Sequence, residues 1–406
     1  MMDCHPGHPG DLDGVTPTMA EPQSWVRVGA SNHAGSCEAL AEALAGLALE
    51  WRPRLLVVLA APRYQLEVVA RELALQLPDT AVVGCTTAGE IAGGHALSDS
   101  LVLWALGGTG VRVQTGQGLG TGPDLREAAL RAASCLEQLE RRKHTVMLLL
   151  SDGLGGDQME VVRGAYDATG IDVPLIGGCA GDYLAMRQTR QLHGQEVFSG
   201  AVVAAAISSD RPLGVGVSHG WTPCSEPMLV TESRSTLLGS LDDRPALEVY
   251  LEFFNAPESV REDPQAFADF AAVRPIGIRR RDRIEMRHVS GCDRERGALV
   301  MVAEVPQGAL AFLSRGDYAS VLQAAGESAC TAVQALGDAP PVGLLLFDCV
   351  SRRSIFGQQH LQEETELIAR CAGEVPTAGF YTYGEIARTH GAGGFHNQTL
   401  VTLAIA

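Results

Sequence analysis

The sequence predicts an α/β protein of two domains, each of mixed β-sheets covered by helices, built from repeated helix-strand-helix-strand-strand units. Three observations carry this expectation. Apolar runs of strand length alternate with stretches of helical period, that order of elements occurs three times, and each copy holds a glycine-rich turn that ends in glycine and an acid.

In the first copy a helical pattern over Cys37 to Leu49 precedes the apolar run Leu55 to Leu59. A helical stretch from Arg63 to Leu77 follows, then strands over Ala81 to Gly84 and Ser100 to Leu106. The second copy predicts a helix over Leu125 to Arg141, a strand over Thr145 to Ser151 and a helix over Asp157 to Ala168, then strands over Val173 to Ile176 and Gly200 to Ile207. The third predicts a helix over Tyr318 to Leu336, a strand over Val342 to Phe347 and a helix over His360 to Cys371. Strands over Val375 to Phe380 and Asn397 to Ala406 close it. Between the second and third copies, Gly214 to Trp221 and Met228 to Glu232 alternate like strands, and Pro245 to Leu251 has a helical period. The basic run Arg279, Arg280, Arg281, Asp282, Arg283 reads as a solvated loop or strand edge, with an anion or partner contact as the alternative. Residues 1–23, rich in Pro, Gly and Asp, are expected to be a disordered leader. The domains are placed at 24–223 and 224–406.

Composition narrows the function. With 406 residues, 46% of them hydrophobic, the chain buries a sizeable core in each domain. The 31 basic side chains face 48 acidic ones, a net charge of −17 that repels nucleic-acid backbones and anionic lipid surfaces. The apolar runs Leu55 to Ala61 and Ala201 to Ile207 fall far short of the roughly 20 residues that cross a bilayer. The first residues carry no secretion-signal pattern, and a cytoplasmic location is expected. The ten cysteines are too sparse for a disulfide scaffold and lack zinc-site spacing, so they read as thiols, most of them in the core.

The recurring turns are the strongest candidates for chemistry. They read Gly84-Cys85-Thr86-Thr87-Ala88-Gly89-Glu90, Gly177-Gly178-Cys179-Ala180-Gly181-Asp182 and Gly379-Phe380-Tyr381-Thr382-Tyr383-Gly384-Glu385. Glycine at a strand end lets a ligand approach main-chain N–H groups, and the acid that follows accepts hydrogen bonds from an ammonium. Three such turns in equivalent places are expected to line a cleft, the plainer reading being three tight turns with capping acids. None carries the Gly-Lys-Ser/Thr ending of a phosphate loop, and Gly214-Val215-Gly216 lacks the third glycine of a dinucleotide site. Asp152 and Gly153 read as a strand-to-helix turn, since Ser151 lacks a nucleophile elbow. Cys85, Cys179 and Cys292 stand beside glycines and are candidate nucleophiles, against burial as small apolar side chains. His193, His219, His288 and His396 sit beside predicted strands. Each is a candidate axial ligand if haem binds, against a hydrogen-bonded structural histidine.

The turns at 83–91 and 176–182, with Val197 to Val203 after them, resemble the amino-terminal half of FIST proteins. Gly379 to Ile386 with Phe395 to Leu400 resembles the FIST carboxy-terminal half. The likeness covers nearly all of the chain after residue 25. It implies a bacterial sensory protein that binds a small ligand, amino acids or their derivatives being the suggested class. It also implies signalling to a histidine kinase, a cyclic-di-GMP enzyme or a chemotaxis receptor, which must be a separate protein because this chain carries no output region. Some family members are haem proteins that sense nitric oxide, which keeps haem open as a cofactor. No catalytic motif stands out, so a non-enzyme is expected, with a cysteine enzyme as the alternative. The candidate ligand-binding set is Cys85, Thr86, Gly89, Glu90, Gly178, Cys179, Gly181, Asp182, Cys292, Tyr381, Tyr383, Gly384, Glu385, His396 and Asn397.

Overall fold

The computed structural model describes residues 20–280, 283–357, 360–389 and 393–406. The leader expected over 1–23 falls largely outside them. The first unit runs β1 (Trp25–Ser31), α1 (Ser36–Leu47), β2 (Leu55–Ala60), α2 (Leu66–Gln76), β3 (Ala81–Thr86), the hairpin β4 (Glu90–Ala92) and β5 (His95–Leu97), and β6 (Leu101–Gly107). The second repeats this order as β7 (Val111–Leu119), α3 (Leu125–Ala133), β8 (His144–Ser151), α4 (Gln158–Thr169), β9 (Leu175–Cys179), β10 (Gln191–His193), β11 (Glu196–Phe198) and β12 (Ala201–Ser209).

The third unit opens with β13 (Leu213–Ser218) and is then interrupted by an inserted module. That module contains β14 (Thr222–Pro223), β15 (Met228–Arg234), β16 (Leu237–Leu241), β17 (Arg244–Pro245), α5 (Ala246–Phe253), α6 (Glu258–Glu262) and α7 (Pro264–Ala271). It continues with β18 (Ile276–Arg280), β19 (Arg283–Arg287), β20 (Val289–Asp293), β21 (Ala298–Met301) and β22 (Leu310–Arg315). The third unit resumes with α8 (Tyr318–Gln334), β23 (Gly343–Cys349), α9 (Val350–Phe356), α10 (Leu361–Ala372), β24 (Thr377–Thr382), β25 (Glu385–Arg388), β26 (Phe395–His396) and β27 (Leu400–Ile405). The protein is mixed α/β as expected; the first two units gain a leading strand, and all three a short hairpin, that periodicity did not reveal, while β13 overlaps the strand-like stretch expected from Gly214. The basic run at 279–283 falls at the β18 to β19 connection, where Arg281 and Asp282 lie outside the described residues.

The hairpins are exchanged. Strand order is β1-β6-β2-β3-β10-β11 in the first sheet, β7-β12-β8-β9-β25-β26 in the second and β13-β27-β23-β24-β4-β5 in the third. Each unit builds four strands of its own sheet and sends its hairpin to the edge of another unit's sheet. The third sheet therefore joins strands from both sides of the expected 223/224 boundary, β13 pairing with β27 and β4 with β24.

The three sheets enclose one core. Alternate residues of the central strands point inward, Leu55, Val57 and Leu59 from β2, Val146, Leu148 and Leu150 from β8, Leu345 and Phe347 from β23. The Trp104 indole of the first sheet crosses this core to donate to the Leu344 carbonyl of the third, 3.0 Å away. The outward residues pack under α1 and α2, under α3 and α4, and under α8 and α10. Helices sit close to the edge strands because Gly29, Gly116 and Gly216 have no side chain. A Cβ at these positions would collide with the carbonyl oxygens of Ala43, Ala132 and Ser328.

One cysteine reading is corrected. Cys330 on α8 and Cys371 on α10 form a disulfide, their Cα atoms 5.0 Å apart across 41 residues of sequence. Spacing gave no hint of it, because the pairing is made by two helices packed side by side on one sheet.

Candidate functional site

The exchange of hairpins forces the three glycine turns together, since each turn is where the chain leaves one sheet for the next. Ala88 donates its N–H to the Tyr381 carbonyl (2.9 Å) and Tyr381 donates back to Gly89 (2.8 Å). Gly181 donates to Thr86 at 3.0 Å, and Cys179 to Gly384 at 2.8 Å. The junction is tightly packed. A Cβ on Gly181 would stand 2.9 Å from the Ala88 methyl, one on Gly178 would stand 2.6 Å from Thr382, and one on Gly89 would strike the Arg353 guanidinium.

Two of the acids occupy the same place in their sheets. Glu90 lies opposite Phe380 and Glu385 opposite Gly178, each as the first residue of an exchanged hairpin. In the second unit this place belongs to Gln191, opposite Cys85, because residues 182–190 form an additional loop. Glu90 is fully buried and accepts from the Ser100 hydroxyl (2.6 Å), the Ser100 N–H (3.1 Å), the Tyr183 hydroxyl (3.2 Å) and Thr87. Glu385 accepts from the Thr382 hydroxyl (2.5 Å) and the Thr399 N–H (3.2 Å). Burial raises both acids, Glu385 to about 8.

A carboxyl raised in the fold stabilises it most below its unfolded pKa and loses that contribution as pH rises through the folded value. Glu385 therefore favours the fold at about pH 4.5 and opposes it above about 8. Glu385→Gln, which copies the amide found at Gln191, is expected to flatten this slope and raise the unfolding midpoint at pH 8.5 but not at pH 5, as thermal unfolding at the two values will show.

Asp182 serves the additional loop. It accepts N–H bonds from Met186 (2.9 Å), Arg187 (2.7 Å) and Gln188 (3.0 Å), together with the Tyr383 hydroxyl. Burial works to raise this acid, but these bonds outweigh it and hold it below the usual range. They also hold Tyr183, Leu184 and Met186 at φ of 57°, 64° and 52°, a left-handed run that L side chains otherwise avoid.

The remaining candidates divide. Cys85 and Cys179 sit at strand ends beneath the turns, wholly buried, and Thr86 accepts the Arg190 N–H at 3.0 Å. Burial pushes both thiols up, Cys179 to about 12, which leaves little thiolate at neutral pH. Cys292 lies on β20 against the core of the inserted module, and its thiol is also raised by burial. On native protein at pH 7, a thiol-alkylating reagent is expected to leave Cys85 and Cys179 unlabelled for hours while the partly exposed Cys224 and Cys292 react, as peptide mass mapping will show.

The four histidines are engaged. His193 uses both ring nitrogens, on Gln117 (3.1 Å) and Thr115 (3.0 Å). His219 accepts the Trp221 N–H at 3.0 Å, His288 meets Gln398 at 3.0 Å, and His396 meets the Ala387 carbonyl at 3.0 Å. Burial depresses His219 and His288 to about 4. Of the four, His193 has both ring nitrogens occupied and would have to give up an internal hydrogen bond to reach iron.

Beside the third turn lies a polar cluster that sequence reading missed. Arg352, at the start of α9, donates to Asp348 (2.7 Å) and Glu364 (2.6 Å), and all three are buried. Among the described residues, four atoms of this cluster have no hydrogen-bond partner. They are Arg352 Nη1, Asp348 Oδ2, Glu364 Oε2 and the hydroxyl of Tyr381. The nearby amide oxygen of Asn397 is likewise unpartnered. Such groups are costly to bury unless a proton, a water or a ligand completes them. Burial, then Glu364, raises Asp348 well above the ordinary carboxylate range, so a proton shared between the two acids is one way to complete the pair. The signal available in the sequence was an aspartate at the end of the apolar run Leu344 to Phe347, with an arginine four residues on.

Comparison with known proteins fits this architecture. The FIST N domain matches residues 54–244 and the FIST C domain residues 246–388. An uncharacterized protein of Mycobacterium tuberculosis is 26% identical over 368 residues, covering 86% of this chain and 90% of that protein. An uncharacterized protein of Mycobacterium bovis is 26% identical over 348 residues, covering 80% and 83%. A solved structure, PurLQS from Thermotoga maritima, aligns at 12% identity over 95% of this chain and 74% of that one with a TM-score of 0.21, too low to bear on the fold.

Proposed function

Because the chain belongs to the FIST family, whose domains are sensory domains for small ligands, we propose that it binds an amino acid or a close derivative at the Asp348, Arg352, Glu364 and Tyr381 cluster. The observation that carries this reading is the set of four unpartnered buried atoms. Arg352 Nη1 and the Tyr381 hydroxyl are donors suited to a carboxylate. Asp348 Oδ2 and Glu364 Oε2 are acceptors suited to an ammonium. A zwitterion satisfies both halves at once and removes the need for a shared proton.

Tyr381 and Glu385 flank the third turn, so a ligand here acts on the junction through which all three sheets exchange hairpins. That gives a route from site to surface, where the strained loop at 183–186 stands with Leu184 and Met186 exposed. The receiving partner is a separate protein such as a histidine kinase, a cyclic-di-GMP enzyme or a chemotaxis receptor, and the cytoplasm is the setting for it. Among the described residues no helix is long and apolar enough to cross a membrane.

Equilibrium dialysis against a panel of amino acids tests the reading. At least one is expected to be retained by the protein. Tyr381→Phe, which deletes only an unpartnered hydroxyl, should weaken that binding about tenfold while leaving the unliganded protein equally or slightly more stable. Retention of no amino acid, or an affinity indifferent to Tyr381→Phe, would exclude this site.

A further inference from the structure

The exchange of hairpins creates three equivalent corners, where the edge strand of one sheet meets the hairpin at the edge of another. Two corners carry long polar or charged side chains. Where β7 meets β10, His193 bridges to Gln117 and Thr115 at 3.1 and 3.0 Å. At the hairpin of β25, Arg388 lies 4.0 Å over the Tyr166 ring and donates to the Gly170 carbonyl at 3.3 Å.

The third corner, where β1 meets the β4 and β5 hairpin and α10, has small residues at the same positions. Ala92 stands two residues after Glu90 as His193 does after Gln191, and Gly93 stands three after Glu90 as Arg388 does after Glu385. Val28 and Ala30 flank Gly29 as Thr115 and Gln117 flank Gly116. This corner holds a cavity of about 720 Å³. That volume lies inside the range of about 300–1,000 Å³ typical of small-molecule sites.

Its walls are aliphatic, with Val28, Ile91, Leu97, Ile368 and Pro376 among them, and among the described residues no aromatic side chain lines it. Arg27 is the one lining cation, half-buried, and no carboxylate pairs with it among the described residues. Its Nη1 reaches only the neighbouring Val26 carbonyl, 3.2 Å away. Glu374 stands exposed at the opening, where it disfavours a doubly charged head group.

We propose that this corner binds a straight-chain acyl carboxylate, the chain lying against the aliphatic walls and the carboxylate on Arg27. Aliphatic walls without aromatic rings suit a flexible chain rather than a flat ring system, and a lone arginine suits one carboxylate. The site is separate from the polar cluster, so either can fail without the other.

Calorimetric titration with octanoate, decanoate and dodecanoate below their micelle concentrations tests it. Affinity is expected to rise about fourfold for each added methylene, the signature of chain burial. Ala369→Trp, at an exposed helix position on the cavity wall, should weaken dodecanoate at least tenfold. Should that variant misfold, Arg27→Gln serves in its place. It should weaken dodecanoate about tenfold and leave dodecanol unchanged. Tyr381→Phe should bind dodecanoate as the parent does, which separates this result from the amino-acid reading. Absence of binding, affinity independent of chain length, or indifference to both cavity variants would overturn the proposal.

Discussion

Arg352→Met is expected to remove about 3–5 kcal/mol of stability at neutral pH, enough to take a large share of the roughly 5–15 kcal/mol that holds a domain folded. The methionine fills much the same volume, so packing is not the main loss. What is lost is the cation that pairs with Asp348 and Glu364, both fully buried at the end of β23 and on α10. Left without it, Asp348, already raised by burial, is pushed further up and takes a proton to stay in the interior. A raised carboxyl favours folding below its unfolded value of about 4 and disfavours it as pH climbs. The deficit should therefore be smallest near pH 5 and largest near pH 8. Urea unfolding of parent and variant at the two values measures this, and a deficit that is equal at both, or larger at pH 5, would mean that the carboxylates do not carry the charge assigned to them.

Gly216→Val should cost more than about 3 kcal/mol, although valine is a strong strand former and Gly216 lies within a strand with ordinary φ. Propensity alone predicts a gain. The structure predicts a loss, because a Cβ there meets the Ser328 carbonyl and forces α8 off its sheet. Gly29 under α1 and Gly116 under α3 are in the same situation, so substitution at any of the three should have a similar effect. Gly291→Ala is the control, since the nearest atom to its new methyl lies 4.0 Å away. Comparison of unfolding midpoints for the four variants decides between propensity and close approach.

The central strands and main helices were legible because their apolar runs have the right length and period. Leu55 to Leu59 lies within β2, Thr145 to Ser151 within β8, and the 318–336 helix covers α8. The leading strands β1 and β7 were not legible, since glycines and polar residues interrupt them where helices approach and where they lie at sheet edges. Nor were the hairpins, only two to four residues per strand, too short to show alternation.

The turns were legible as a repeat, but their meaning was not. Gly-Asp in the second copy looks like Gly-Glu in the others, yet the loop after Asp182 moves the equivalent position to Gln191, which only strand register shows. The polar cluster was hidden for a different reason. Asp348, Arg352 and Glu364 are ordinary surface residue types, and nothing local in the sequence says that β23, α9 and α10 fold their charges inward. The three corners depend on which strands become neighbours, a consequence of hairpin exchange that no local pattern encodes.

The central claim is that the buried polar cluster beside the third turn receives a zwitterionic ligand. Thermal unfolding at pH 7 with each amino acid in turn, for the parent protein and for Glu364→Gln, tests it most directly. The account predicts that one amino acid or a small related group raises the parent's stability, by about 2.7 kcal/mol at one hundred times its dissociation constant, and that the variant loses most of this gain. A parent that no amino acid stabilises, or a variant stabilised as much as the parent, would contradict it.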